Sequence, residues 1–349
     1  MERIKLAFFD AKPYDIEFFN IENAKYGYHI KYFLNRLNSD TVAMSQGFNA
    51  VCIFVNDNVT KDVVKILLKN KIKIIALRCA GYNNVDLSSV YNKIHVVRVP
   101  DYSPYAVAEH TVGIMLSLNR KIHKAYYRTR DNNFNINGLL GFDMNGKTAG
   151  IIGTGKIGKV LIKILKGFNV KILAYDPYPD KDFAEKMEIS YVPLDKLYRS
   201  SDIISLHCPL TKDTFHLIDH SAISKMKTGV MVINTGRGRL IDTKALIEAL
   251  KHGKIGSAGL DVYEEESEYF FEDFSDKILP DDALARLLSF NNVLITSHQA
   301  FFTKEALTNI ARTTLGNIFA YSKGEKLANE VCYKCDKRSC CSGKSGKCF

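Results

Sequence analysis

The segment that most restricts the fold is Thr148–Ile152 followed at once by Gly153-Thr154-Gly155-Lys156-Ile157-Gly158. An apolar β-forming run ending in glycines at this spacing suits one local structure, a strand turning tightly into a helix. The first glycine permits the turn, the second lets a pyrophosphate approach backbone N–H groups, and the third lets the helix running to Phe168 pack on the strand. The helix N-terminus adds a favourable field for phosphate charge. The next strand ends in Tyr175-Asp176, which places a carboxylate 18 residues after Gly158, where it can accept hydrogen bonds from ribose hydroxyls. A 2′-phosphate would meet a like charge there, so the pattern predicts NAD over NADP. The same aspartate could also cap a turn at Pro177.

The rest of the chain extends this rhythm in both directions. Ile4–Phe9, Ala50–Val55, Ile72–Leu77 and Val96–Val99 read as strands. After Pro100 and Pro104 comes a helix-forming stretch from Ala106 to about Arg130, then a loop rich in Asn and Gly. A second series of strands follows at Thr148–Ile152, Lys171–Tyr175, Asp202–Leu206, Val230–Asn234, Ile255–Leu260 and Val293–Thr296, and a last helix runs from Lys304 to about Tyr321. Strands alternating with helical stretches predict parallel sheets with crossover helices, here as two doubly wound α/β units. A length of 349 residues accommodates both.

Charge and cysteine content narrow the function classes. Of the net +10, the last 18 residues contribute Lys334, Lys337, Arg338, Lys344 and Lys347 against Asp336, and the remaining basic residues are spread along the chain. That distribution fits an anionic small substrate and cofactor, with no nucleic-acid partner. Five of the eight cysteines (Cys332, Cys335, Cys340, Cys341, Cys348) crowd the same tail. The tail lacks apolar periodicity, its ligand spacing is poor for structural zinc, and it reads as a disordered, redox-sensitive basic extension, so no metal site is expected. Cys52, Cys79 and Cys208 lie in or beside apolar runs and read as buried reduced thiols. No apolar run reaches membrane-spanning length and the start lacks a signal-peptide core, which predicts a cytoplasmic protein with no membrane partner.

Three polar groups follow strands of the second series: Arg237 in Asn234-Thr235-Gly236-Arg237-Gly238, Glu266 in Asp261-Val-Tyr-Glu-Glu-Glu266, and His298 in Thr296-Ser-His298-Gln-Ala300. The carboxyl ends of strands in a doubly wound sheet converge on the ligand crevice, so these residues can meet beside a nicotinamide. Their chemistry suits reduction of a 2-oxo acid. A histidine donates the proton the carbonyl oxygen needs, a carboxylate beside it favours the protonated ring, and a planar guanidinium pairs with the substrate carboxylate while polarising the carbonyl. Spacing alone does not choose among Glu264, Glu265 and Glu266.

Through these motifs the sequence resembles the D-isomer-specific 2-hydroxyacid dehydrogenases over residues 1–331. Within that family it is most similar to the fermentative bacterial D-lactate dehydrogenases, through Val51–Asp57, Leu77–Leu87 and Ser205–Leu210. The resemblance implies a flavodoxin-like substrate domain (1–101 and 299–331), a Rossmann NAD-binding domain (102–298), the tail 332–349, and an active site in the cleft. It further implies NAD-dependent, reversible hydride transfer to pyruvate giving D-lactate, with Arg237 binding substrate, His298 as acid/base and Glu266 as its partner. The substrate carboxylate is expected on the N–H groups of Ala80 and Gly81 with Tyr102 nearby, and Phe54 and Phe301 as pocket walls. NAD is expected against Gly153–Gly158, Asp176, His207, Cys208, Pro209, Thr235, Gly236 and Asp261. The stretch after Pro104 resembles a dimer-forming element, so a homo-oligomer is expected. Other D-2-hydroxy acids (branched-chain, glycerate, phosphoglycerate) are alternative substrates, and an NADH-responsive corepressor is an alternative role. Two positions depart from the pattern: Gly236 stands where relatives often have Ser, and Ser297 where many have Pro.

Overall fold

The computed structural model describes residues 3–265, 269–331 and 333. The chain forms two compact units, one built from the chain up to Ser103 and from Phe302 onward, the other spanning Pro104–Phe301.

The first unit holds five parallel strands: β1 (Lys5–Phe8), β2 (His29–Tyr32), β3 (Ala50–Ile53), β4 (Ile74–Leu77) and β5 (His95–Val97). Their order, β2-β1-β3-β4-β5, is the flavodoxin order, and the chain reverses direction across the sheet at β1/β3. β3 and β4 are buried at every position, which is why they read as unbroken apolar runs.

The second unit holds seven parallel strands: β6 (Thr148–Ile152), β7 (Lys171–Tyr175), β8 (Ser190–Tyr191), β9 (Ile203–Leu206), β10 (Val230–Asn234), β11 (Ile255–Leu260) and β12 (Val293–Ile295). The order β12-β11-β10-β9-β6-β7-β8 is doubly wound, with the reversal at β6/β9. One face is covered by helices Pro104–Arg120 and Lys156–Lys166 through Met115, Leu118, Leu161 and Leu165, all buried. The other face is covered by the helices carrying Leu197, Ile223, Leu246 and Leu287. The register pairs Ile152 with Leu206, so the turn after β6 and the turn after β9 emerge side by side.

Two strands escaped the sequence reading. β2 alternates exposed and half-buried residues, with no apolar run to reveal it, and β8 has only two residues. The helical stretch 106–130 is not continuous: Lys121 adopts a left-handed conformation (φ 50°) and splits it into Pro104–Arg120 and Ile122–Arg130. Among the described residues no helix is long and apolar enough to cross a membrane.

Candidate active site

The glycine motif folds as its spacing predicts, with one refinement. Gly153 has φ +95°, and a Cβ there would lie 2.5 Å from the backbone nitrogen of Cys208, so both conformation and close approach demand glycine. Gly155 caps the helix Lys156–Lys166, is exposed, and has nothing within 4 Å of its Cβ position, which leaves the open cradle a pyrophosphate needs. A Cβ on Gly158 would sit 2.1 Å from the carbonyl oxygen of Gly153, closer than to the strand residue Ile151 at 3.6 Å. The third glycine therefore makes room mainly for the turn.

Asp176 follows the last residue of β7. One oxygen accepts from the N–H (2.8 Å) and hydroxyl (3.1 Å) of Thr154, and the other accepts from the N–H of Tyr178 at 2.9 Å. It thus both caps the turn at Pro177 and locks the glycine loop, while its remaining lone pairs stay available to ribose hydroxyls. Tyr191 extends the network through its contact with the Thr154 hydroxyl at 2.8 Å. His207 and Cys208 follow β9, where the N–H of His207 donates to Ile152 at 2.7 Å. Desolvation pulls the His207 ring down to about 4, and its Nε2 lies 2.8 Å from the Ser205 hydroxyl. Cys208 is half-buried rather than buried, unlike Cys52 and Cys79, because it sits in the exposed turn that ends in Pro209. Thr235 is buried, with its hydroxyl 2.9 Å from that of Thr111.

Arg237 is half-buried just past β10. Asn234 shapes its loop, accepting from the N–H of Gly236 at 3.0 Å and donating to the carbonyl of Arg237 at 2.9 Å. The arginine Nη1 donates back to the Gly236 carbonyl at 2.7 Å. Gly238 is forced by its surroundings, since a Cβ would lie 2.1 Å from the carbonyl of Tyr263. That close approach brings the Arg237 loop against the acidic segment after β11.

Within that segment, Glu264 Oε1 lies 2.7 Å from His216 Nε2, and Oε2 accepts from the N–H of Thr243 at 2.9 Å. Glu265 pairs with Arg239 at 3.2 Å. Glu266 lies outside the described residues.

His298 has φ +52°, unusual for a residue with a Cβ, and its loop is held by Asp261, which is fully buried. The N–H of His298 donates to the Asp261 carbonyl at 2.8 Å. The N–H groups of Gln299 and Ala300 each donate to the Asp261 carboxylate at 2.9 Å, and the Thr296 hydroxyl donates to it at 2.5 Å. His110, on the helix Pro104–Arg120, places Nε2 3.1 Å from the Thr296 hydroxyl and 3.4 Å from Asp261. The ring of Phe271 stands 6.0 Å from that of His298. Nothing in the sequence singled out His110 or Phe271, the former being one of several polar residues on its helix.

In the first unit, the bend after β4 is the candidate substrate cradle. The Cys79 carbonyl accepts from Val99 N at 3.1 Å, and the Ala80 carbonyl accepts from the Arg98 guanidinium at 2.8 Å. The N–H groups of Ala80 and Gly81 find no acceptor among the described residues. Two adjacent N–H groups with no acceptor among the described residues, beside tied carbonyls, are candidates to receive an anion. Phe54 ends the same sheet region and is buried, with its carbonyl accepting from Asn84 at 2.7 Å. The Tyr102 carbonyl accepts from Asn309 at 2.8 Å. Phe301 is buried at the end of the second unit. Among the described residues no group of three or more His, Cys, Asp or Glu could hold a metal ion, and the tail cysteines lie outside them.

Comparison with known proteins matches residues 112–300 to the D-isomer specific 2-hydroxyacid dehydrogenase, NAD binding domain. The chain is 51% identical to the D-lactate dehydrogenase of Escherichia coli (strain K12), over 94% of this chain and 100% of that protein. The structure resembles that of the pyruvate reductase of Chlamydomonas reinhardtii, with TM-score 0.89, 42% identity and coverage of 94% and 98% of the two chains. It also resembles the NAD-complexed D-isomer specific 2-hydroxyacid dehydrogenase from Lactobacillus delbrueckii ssp. bulgaricus, with TM-score 0.79, 32% identity and coverage of 94% and 100%. The doubly wound sheets, the glycine cradle and these likenesses converge: the chain belongs to the NAD-dependent D-isomer-specific 2-hydroxyacid dehydrogenase family.

Proposed function

We propose that the protein is a D-lactate dehydrogenase that reduces pyruvate reversibly to D-lactate. The observation that carries this reading is the pair of free N–H groups at Ala80 and Gly81, a cradle sized for one carboxylate in the same sheet region as the buried ring of Phe54. The 51% identity to a D-lactate dehydrogenase over nearly the whole chain supports the choice of substrate.

Bound NADH supplies the hydride. Arg237 pairs with the substrate carboxylate and polarises the 2-oxo group, a task for a planar guanidinium rather than an ammonium. His298, fixed by the Asp261 clamp, donates a proton to the carbonyl oxygen and recovers it in the reverse direction. A neighbouring carboxylate favours the imidazolium form. The family resemblance assigns that role to Glu266; of its neighbours, Glu264 is tied to His216 and Thr243, and Glu265 to Arg239. Tyr102, Phe54 and Phe301 restrict the side chain of the substrate, and Asp176 selects NAD through the ribose.

Exposed apolar side chains between 122 and 142, among them Ile122, Tyr127, Phe134, Ile136 and Leu140, support a homo-oligomer that buries this surface. The buried thiols of Cys52 and Cys79, neither of them in a disulfide, support a reducing, cytoplasmic setting.

The test follows NADH loss with pyruvate, a branched 2-oxo acid and hydroxypyruvate, then NAD reduction with D- and L-lactate. Turnover is expected to favour pyruvate and to be confined to the D-isomer, and His298→Ala to lose turnover while keeping NADH affinity. Oxidation of L-lactate alone, or full turnover in His298→Ala, would overturn the reading.

A further inference from the structure

Directly before the anion cradle stands Arg78, whose side chain is 2% exposed. Its backbone continues β4, its N–H donating to Ile53 at 3.0 Å, and its guanidinium is enclosed within the first unit. Nη1 donates to the Phe9 carbonyl at 3.0 Å, Nη2 donates to the Asp10 carbonyl at 2.7 Å, and Nε lies 3.4 Å from Asp15. The planar group also lies over the rings of Phe8 and Phe54, 4.5 and 4.7 Å from their centroids. One cation thus joins the end of β1, the first turn of the helix Pro13–Asn23 and the aromatic residue that follows β3.

A buried carboxyl group reinforces this joint. Asp57 accepts from the N–H of Phe54 and from the N–H of Leu37, both at 2.5 Å. The backbone of Phe54 is therefore held by Asp57 while its ring faces Arg78. A buried ion pair is a weak source of stability, since well-packed apolar side chains of similar volume serve as well or better. What a guanidinium adds is direction: five donors in a rigid fork fix both its own backbone and the groups it binds.

We propose that Arg78 is a positioning residue for substrate recognition: acting through the backbone of residues 79–81 and the ring face of Phe54, it sets the two free N–H groups and the aromatic wall at the spacing that admits a small 2-oxo acid. This rests on the function proposed above, in which Ala80 and Gly81 receive the carboxylate. A misplaced cradle weakens substrate binding without altering the cofactor site or the proton donor, which belong to the other unit.

The experiment uses the full chain carrying Arg78→Lys, which keeps the charge and loses the fork. The pyruvate KM is expected to rise at least tenfold, while kcat at saturating pyruvate stays within threefold and the NADH KM within twofold. The preference in kcat/KM for pyruvate over 2-oxoisocaproate is expected to fall at least fivefold. A pyruvate KM within twofold of the unaltered enzyme, or an NADH KM that rises in parallel, would overturn the proposal. Should that variant fail to fold, Asp15→Asn removes the charged partner and leaves both carbonyl bonds. A threefold loss of the same preference is then expected, and an unchanged preference is equally fatal. An unaltered enzyme that reduces no 2-oxo acid removes the functional reading, and the inference with it; normal turnover there with unchanged kinetics in the variants removes the inference alone.

Discussion

The carbonyl oxygen of Asp261 accepts the N–H of His298 at 2.8 Å, and the carboxylate of the same aspartate then takes the N–H groups of the two residues that follow. A histidine with φ +52° is strained, and this clamp supplies the compensation. Asparagine at position 261 can accept one of those N–H groups but turns an amide N–H₂ toward the other. Asp261→Asn is expected to lower kcat about 10²-fold through misplacement of the ring. It should also cost about 1–3 kcal/mol of stability for the buried donor left unpaired. Steady-state kinetics and chemical denaturation measure the two effects; a variant with unchanged kcat would show that the clamp does not set the position of the acid.

The two glycines flanking Arg237 differ in what surrounds them. At Gly236 an added Cβ would meet Leu240, Asn234 and Leu206 at 3.4–3.5 Å, ordinary contact distances. Gly236→Ser, the residue often found there in relatives, is expected to change stability by no more than about 0.5 kcal/mol and pyruvate KM by no more than twofold. At Gly238 the Cβ would lie 2.1 Å from backbone atoms of Tyr263, so Gly238→Ala is expected to cost more than about 2 kcal/mol and most of the activity. Equal tolerance at both positions would contradict the packing described.

Desolvation pushes the Asp57 carboxyl up to about 7, against the opposing pull of Arg78 and of the N–H groups of Phe54 and Leu37 and with a smaller push from Asp10. An unfolded aspartate titrates near ~3.9, so between that pH and 7 the folded chain holds a proton the unfolded chain has released. Its contribution to stability is therefore present at low pH and is lost as pH rises through 7. Asp57→Asn cannot titrate. The melting temperature of the unaltered protein minus that of this variant is expected to fall between pH 5 and 8, and a flat or rising difference would show that Asp57 is ionised throughout.

Asp176 binds the glycine loop through Thr154, and its remaining lone pairs are proposed to receive the ribose hydroxyls. Asp176→Ala is expected to raise the ratio of kcat/KM with NADPH to that with NADH at least tenfold, chiefly through loss of the NADH value. A ratio near one in the unaltered enzyme would already refute the role.

What was legible in the sequence follows from how local each signal is. The buried parallel strands announced themselves as apolar runs, and the glycine motif carried its own steric reasons in three residues. The exposed edge strand β2 carries no such run, and the helix break at Lys121 lacks the glycine or asparagine that usually marks a left-handed residue. Arg237 and His298 were singled out because they follow strands; the partners of Glu264 and Glu265, namely His216, Thr243 and Arg239, lie 21 to 48 residues away in sequence, beyond the reach of any local pattern. The burial of Arg78 among Phe9, Asp10, Asp15 and Phe54 was invisible for the same reason, since these partners come from two segments distant from it in sequence.

The first unit is discontinuous in sequence. Its C-terminal helix Lys304–Ser322 packs on the helix Pro13–Asn23 and on β4, and Val331 then returns to donate to Val96 at 2.8 Å. Synthesis from the N-terminus thus delivers its strands early and their covering helix only near the end. The intervening unit, Pro104–Phe301, is complete first, so on the ribosome the inserted half is able to fold while the half that began the chain waits for its last helix to emerge.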